Sequence, residues 1–186
     1  MDWPMKQQKN IFAIIGSASK NSSNLKLIRM IAELSKDALN ITVFENLAAL
    51  PHFDLERSTE NTPQAILDFR NELLKADGIL ISTPEYIFSI PSGLKNAIEW
   101  CVSTTVFSKK PIGLITASAS GVKAHEELKL IMKTVETIFT EETTLLIQGI
   151  KGKIDQQGNI NDSKTQKELN DFTKAFITLV EKYKIN

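Results

Sequence analysis

A doubly wound α/β sandwich is the fold class this sequence predicts, with helices on both faces of a five-stranded parallel sheet in the order 2-1-3-4-5. Short apolar runs alternate with longer amphipathic segments from end to end, the pattern of successive βαβ units. The run Gly78-Ile79-Leu80-Ile81-Ser82 lacks polar alternation, as a strand covered on both faces requires. Right-handed crossovers then reduce the possible strand orders to a few. The 186 residues suit a single domain, residues 1–186, with residues 1–9 as a flexible N-terminal extension.

Taken in order, the first strand is expected over Ile11 to Gly16. A polar loop follows, and then a helix on which Leu25, Ile28, Ile31, Ala32 and Leu34 recur at helical spacing. Asn40 precedes a second strand, Ile41 to Phe44. Leu47 to Asn61 reads as a long surface loop interrupted by Pro51. Thr62-Pro63 starts a second helix with Ile66, Phe69, Leu73 and Leu74 inward, leading to the third strand at Gly78. Pro84 stops that strand, since proline has no N–H for the ladder. Pro91 opens a helix that runs to Val102. Pro111 to Thr116 is the fourth strand, Lys123 to Phe139 the fourth helix, and Thr143 to Ile147 the fifth strand. Gly149 to Asn161 is a polar loop with a hairpin signal at Gln157-Gly158-Asn159. Ser163 is placed as the cap of a last helix whose Leu169, Phe172, Phe176, Leu179 and Val180 form one stripe.

Composition excludes several function classes. The 22 basic and 22 acidic residues cancel, which leaves no electrostatic footprint for nucleic acid or an anionic membrane. One cysteine rules out an internal disulfide framework, and two histidines weaken any metal reading. No apolar run approaches the roughly 20 residues that span a bilayer. The N-terminus has no apolar signal core, so a cytoplasmic protein is expected.

Two loops carry the chemistry. The segment after strand three, Thr83 to Gly93, sets two aromatic rings at the carboxyl end of a strand, where open α/β sheets bind ligands. The segment after strand one, Gly16-Ser17-Ala18-Ser19-Lys20-Asn21-Ser22-Ser23-Asn24, presents hydroxyls and amides at a helix N-terminus. Such a place favours a phosphate dianion. It has neither G-x-G-x-x-G nor the G-K-[ST] of a triphosphate loop, which leaves a terminal monophosphate. The same residues would equally cap a helix and solvate a turn.

Together the two loops resemble the NADPH-dependent FMN reductase family of flavodoxin-like proteins, whose relatives reduce azo compounds, quinones and chromate. Its first motif, close to G-S-x-R-x-x-S-x-N, is met by Gly16, Ser17, Ser22 and Asn24, with Ser19 in place of arginine. Its second, close to P-E-Y-N-x-S-x-P-G-x-L-K-N-A-I-D-W, is met at Pro84, Glu85, Tyr86, Ser89, Pro91, Leu94 to Ile98 and Trp100. Ile87 replaces the asparagine, and glycine is displaced to Gly93. A Ser- and Gly-rich loop, Ala117 to Val122, matches a third element.

The resemblance implies bound FMN as cofactor and NADPH or NADH as substrate. Ser17, Ser22 and Asn24 would hold the phosphate, joined by Ser19, Lys20 and Ser23 of the same loop. Pro84, Glu85, Tyr86 and Ile87 would line one edge of the isoalloxazine, Glu85 through its backbone, and Ser118, Ser120 and Gly121 would close the other side. Hydride would pass from the nicotinamide to FMN and on to a small-molecule electron acceptor: a quinone, an azo compound, free flavin or a metal oxyanion. No separate catalytic residue is assigned. Relatives commonly complete the pocket with a neighbouring subunit, so a homodimer or homotetramer is expected, with the helix after Pro91 at the interface and Phe88 at a subunit contact. The alternatives are a flavodoxin-type electron carrier, or a family member with FMN binding weakened through Ser19 and Ile87 and a non-catalytic role. Trp100 and Cys101 read as packing residues and His125 as solvent-facing.

Overall fold

Burial on both faces makes the five apolar runs into adjacent parallel strands. The computed structural model of the chain describes residues 7–19, 21–155 and 157–183. Its sheet has the order β2-β1-β3-β4-β5, with β1 Lys9–Ile15, β2 Leu39–Phe44, β3 Gly78–Thr83, β4 Ile112–Ser118 and β5 Thr144–Gln148. All four neighbouring pairs are parallel; Ile14 lies opposite Phe44 on one side and Ile81 on the other. Every residue of β3, the central strand, is buried.

Among the described residues, five α-helices cover the sheet: α1 Ser23–Leu34, α2 Gln64–Lys75, α3 Ser92–Glu99, α4 Val122–Thr134 and α5 Ser163–Lys182. One core lies between the sheet and α1 with α5, centred on Ile28, Leu80 and Phe176. The other lies beneath α2, α3 and α4 and holds Phe69, Trp100 and Leu128. The expected strand order and three layers are therefore present.

Element ends differ from the sequence expectation for local reasons. Lys9, placed in the extension, belongs to β1: its amide donates to Ala38 O at 2.9 Å and its ammonium pairs with Asp77 at 3.3 Å. Leu74, expected inward, is 56 % exposed, because the buried positions Ile66, Phe69 and Leu73 already define the inner face of α2. Pro63 and Pro91 stand one residue before their helices. Asp162, not Ser163, caps α5, its carboxylate accepting from the Thr165 amide at 2.9 Å. The fourth helix stops at Thr134 rather than Phe139, since Glu136 turns to a φ of 61° and Ile138 joins the edge of the sheet beside Pro111.

The segment expected as a loose surface loop, Leu47 to Asn61, is held firmly. Leu47 and Leu50 are buried, and Pro51 O accepts from Trp100 Nε1 at 2.8 Å and from Asn96 Nδ2 at 3.0 Å. The Phe53 and Trp100 rings meet edge-on at 5.5 Å. Asn96 of α3 and Trp100 just after it thus tie down the segment that follows β2.

Candidate functional site

The carboxyl ends of β1, β3 and β4 converge on one edge of the sheet, and their loops are shaped by glycine and by hydrogen bonding. At Gly16 a Cβ would lie 2.7 Å from Thr83 Cβ, so only glycine lets the first loop pass the end of β3. Ser22 caps α1, its Oγ accepting from the Leu25 amide at 3.1 Å. Ser17 Oγ accepts from the Ser19 amide at 3.2 Å and approaches the Tyr86 hydroxyl at 3.5 Å. Asn24 is buried, its Oδ1 accepting from Ser82 Oγ at 2.8 Å and its Nδ2 donating to Ala117 O at 3.1 Å. That one side chain joins α1 to β3 and β4.

Residues 86–89 form a two-residue hairpin: the Tyr86 amide donates to Ser89 O at 3.0 Å, and the Ser89 amide to Tyr86 O at 3.1 Å. Ile87 and Phe88 have φ values of 50° and 59°, the signature of a type I′ turn, which favours Asn-Gly rather than a β-branched and an aromatic residue. Both project outward, 94 % and 77 % exposed. The hairpin is pinned to α4 on both sides. Glu85 accepts from the amides of Gly121 at 3.2 Å and Ala124 at 3.0 Å, while Glu127 accepts from Ser89 Oγ at 2.7 Å and the Ile90 amide at 3.0 Å. Gly121, at a φ of 84°, is the helix N-cap and has no side chain for those amides, so Glu85 takes the capping role from another loop.

A cavity of about 870 Å³ opens among these loops. It is bordered by Ser17, Ser19, Ser22, Ser23, Asn24, Pro84, Tyr86 and Ser118 from the residues singled out in the sequence. Glu85, Ile87, Ser120 and Gly121 stand outside its wall: Glu85 and Gly121 hold each other, and Ile87 faces solvent. Lys20 lies outside the described residues. The far wall is one that sequence reasoning missed, made by Gly149 to Gly152, Ile154 and Asp155, with Lys26 reaching it from α1. Only its position after β5, at the same edge of the sheet as the two loops, could have pointed to it.

A second cleft of about 750 Å³ shares Ser17, Ser19 and Tyr86 with the first and extends past Glu45 and Leu47 toward Pro91 and Gly93. Tyr86, 43 % exposed, stands between the two. His125, expected to face solvent, is half-buried, with Nδ1 3.0 Å from Thr116 Oγ1. Burial, then the nearby Lys129 ammonium, pulls its pKa below the ordinary histidine value. Cys101 is buried under α3, and burial pushes its thiol up to about 12.

The arrangement suits an elongated ligand with an anionic end. Hydroxyls and the α1 N-terminus line one part of the cavity, and Pro84, Tyr86, Ser118 and the wall from Gly149 to Asp155 line the rest. Comparisons with known proteins agree. The chain matches the family model for NADPH-dependent FMN reductase over residues 9–151. It is 26 % identical to a quinone reductase of Escherichia coli (strain K12), across 97 % of this chain and 100 % of that protein. The structure of FerB, a flavoenzyme NAD(P)H:(acceptor) oxidoreductase from Paracoccus denitrificans, superposes with a TM-score of 0.81 at 26 % identity, covering 95 % of this chain and 100 % of that one. A flavodoxin from the domain Archaea, 10 % identical, shares the fold alone, with a TM-score of 0.61 over 93 % of this chain and 97 % of its own.

Proposed function

The chain belongs to the NADPH-dependent FMN reductase family, and from that premise we propose that it transfers electrons from NAD(P)H to a small quinone-class acceptor by way of bound FMN. It is an NAD(P)H oxidoreductase with FMN as cofactor. The observation that carries the proposal is the one cavity onto which Ser17, Ser19, Ser22, Ser23, Asn24, Pro84, Tyr86 and Ser118 all open. Its volume lies within the range of about 300–1,000 Å³ usual for small-molecule sites. The donors at its α1 end fit a monophosphate, so the residues present fit the cofactor.

When bound, FMN supplies the two-electron redox chemistry. The protein binds and orients. Ser17, Ser22 and the first amides of α1 would hold the phosphate, with Ser19 and Ser23 beside them. Pro84, Tyr86 and Ser118 would line the flavin's place, and Glu85 holds their two loops in register through α4. Asn24 acts from behind by locking α1 against β3 and β4. The adjoining cleft, which shares Ser17, Ser19 and Tyr86 with the cavity, would give a flat acceptor a route to the flavin. No acid–base pair is needed from the protein.

The whole chain acts as one flavin-binding domain. No helix among the described residues is long and apolar enough to cross a membrane. It self-associates as a homodimer or homotetramer. The exposed apolar side chains Phe88 and Leu130 border one shallow hollow beside Ile87, which favours the hairpin and α4 over α3 as the contact.

A visible spectrum of the purified protein, before and after NAD(P)H, tests the reading. Flavin bands that bleach with NAD(P)H and return on adding a quinone are expected. A protein that stays colourless with added FMN would sink the proposal. Turnover of a metal oxyanion or azo dye with none of quinone would replace the acceptor.

A further inference from the structure

Ser19 leaves a charge problem at the phosphate end of the cavity. The arginine of the family motif is missing from the first loop, whose one basic residue, Lys20, offers a point charge and no bidentate fork and lies outside the described residues. Among the described residues, the cavity wall carries two cationic side chains, Lys26 and Lys151, both outside that loop.

Lys26 is placed for the task by helix geometry. It lies four residues after Ser22, the α1 cap, and so on the same face of the helix. Helical side chains lean toward the N-terminus, which carries the Lys26 stem back over the turn that Ser22 caps. Its ammonium donates to Asp155 O at 3.2 Å on the facing wall. The stem also runs close beneath Gly158, where a Cβ would stand 3.7 Å from Lys26 Cδ. Lys151 projects from the turn Ile150–Gly152 of that same wall and is exposed. The acidic group on this wall, Asp155, is turned into its own hairpin. Its carboxylate accepts from the Asn159 amide at 2.8 Å and from Asn159 Nδ2 at 3.2 Å, which holds its pKa below the usual value.

We propose that Lys26 and Lys151 supply the phosphate counter-charge that Ser19 does not. This chain would then hold the terminal phosphate of FMN between α1 and the segment after β5. The inference rests on the flavin reading of the cavity. It makes cofactor selection depend on point charges at a partly open site, so affinity for FMN falls with salt while affinity for riboflavin, which has no phosphate, does not.

Flavin fluorescence titrations of the flavin-free protein with FMN and with riboflavin, at low and high salt, test this without any turnover. Lys26→Met should weaken FMN about tenfold and Lys151→Met about threefold, as expected for a partly buried and an exposed charged contact. Riboflavin should change less than about twofold in either variant. Placing Ser19→Arg in the Lys26→Met background should restore FMN affinity, which also guards against a folding defect as the cause. Equal FMN affinity in parent and both variants would overturn the inference, as would parallel loss of FMN and riboflavin. A parent protein that binds neither flavin would overturn the flavin reading itself.

Discussion

Changing Glu85 to Gln separates anchoring from chemistry at the central loop. Its two oxygens receive the amides of Gly121 and Ala124 at 3.2 and 3.0 Å, where α4 has no cap of its own. Glutamine keeps one accepting oxygen and loses the charge. A hydrogen bond to a charged group contributes about 1.5–3 kcal/mol, and a carboxylate at a helix N-terminus about 0.3–1 kcal/mol more. Because Glu85 is partly exposed and glutamine keeps one accepting oxygen, the low ends apply, and E85Q should lose about 2 kcal/mol. In a chain of this length that lowers Tm by about 4–8 °C, readable by calorimetry. E85A, which leaves both amides unmet, should lose about twice as much. The pH profile of kcat for quinone reduction should keep its shape in E85Q. An unchanged Tm together with a tenfold fall in kcat and a missing limb of that profile would refute the anchoring role.

Gly16→Ala should abolish FMN binding, because the added Cβ meets Thr83 at 2.7 Å and must push the first loop off β3; retained flavin absorbance at full occupancy would contradict this. Ile87→Asn with Phe88→Gly places in the I′ turn the residues it favours and should stabilise the fold by about 1–2 kcal/mol in denaturant titrations. The same pair should weaken self-association in sedimentation experiments, and unchanged behaviour in both would remove the hairpin from the interface. For His125, the lowered pKa means the folded state binds its proton less tightly than the unfolded chain. Its contribution is therefore intact above the ordinary histidine pKa and is lost as pH falls from that value toward the lowered one. The drop in denaturation midpoint across this window should be smaller in His125→Asn than in the parent; equal drops would count against it.

Much of the fold was legible because a strand buried on both faces must be apolar throughout. Gly78 to Ser82 therefore announced the sheet centre, and the spacing of Leu169, Phe172, Phe176 and Val180 announced α5. Proline marked both helix starts to within one residue. The serine loop and the Pro84–Tyr86 segment stood out as candidate ligand loops through their resemblance to a family's motifs, since taken alone the same residues would equally cap a helix or anchor a loop. What stayed hidden depends on contacts between segments far apart in the chain. Glu85 lies 36 residues before Gly121, and nothing local says that its carboxylate caps α4. Lys26 and Asp155 are 129 residues apart, so the polar stretch after β5 carried no sign that it forms a wall of the cavity.

The sequence by itself determined the class of fold, because strand order and layering follow from periodicity, while the expectation of a flavin monophosphate came from the resemblance of its loops to a known family. Tertiary structure alone decided which side chains face the cavity and which are spent on holding it. Asn24 and Glu85 look alike to a motif as polar site residues, yet their hydrogen bonds join elements to one another. Facing and sharing of that kind arise only when β1, β3, β4 and β5 end side by side, bringing loops from across the chain within bonding distance.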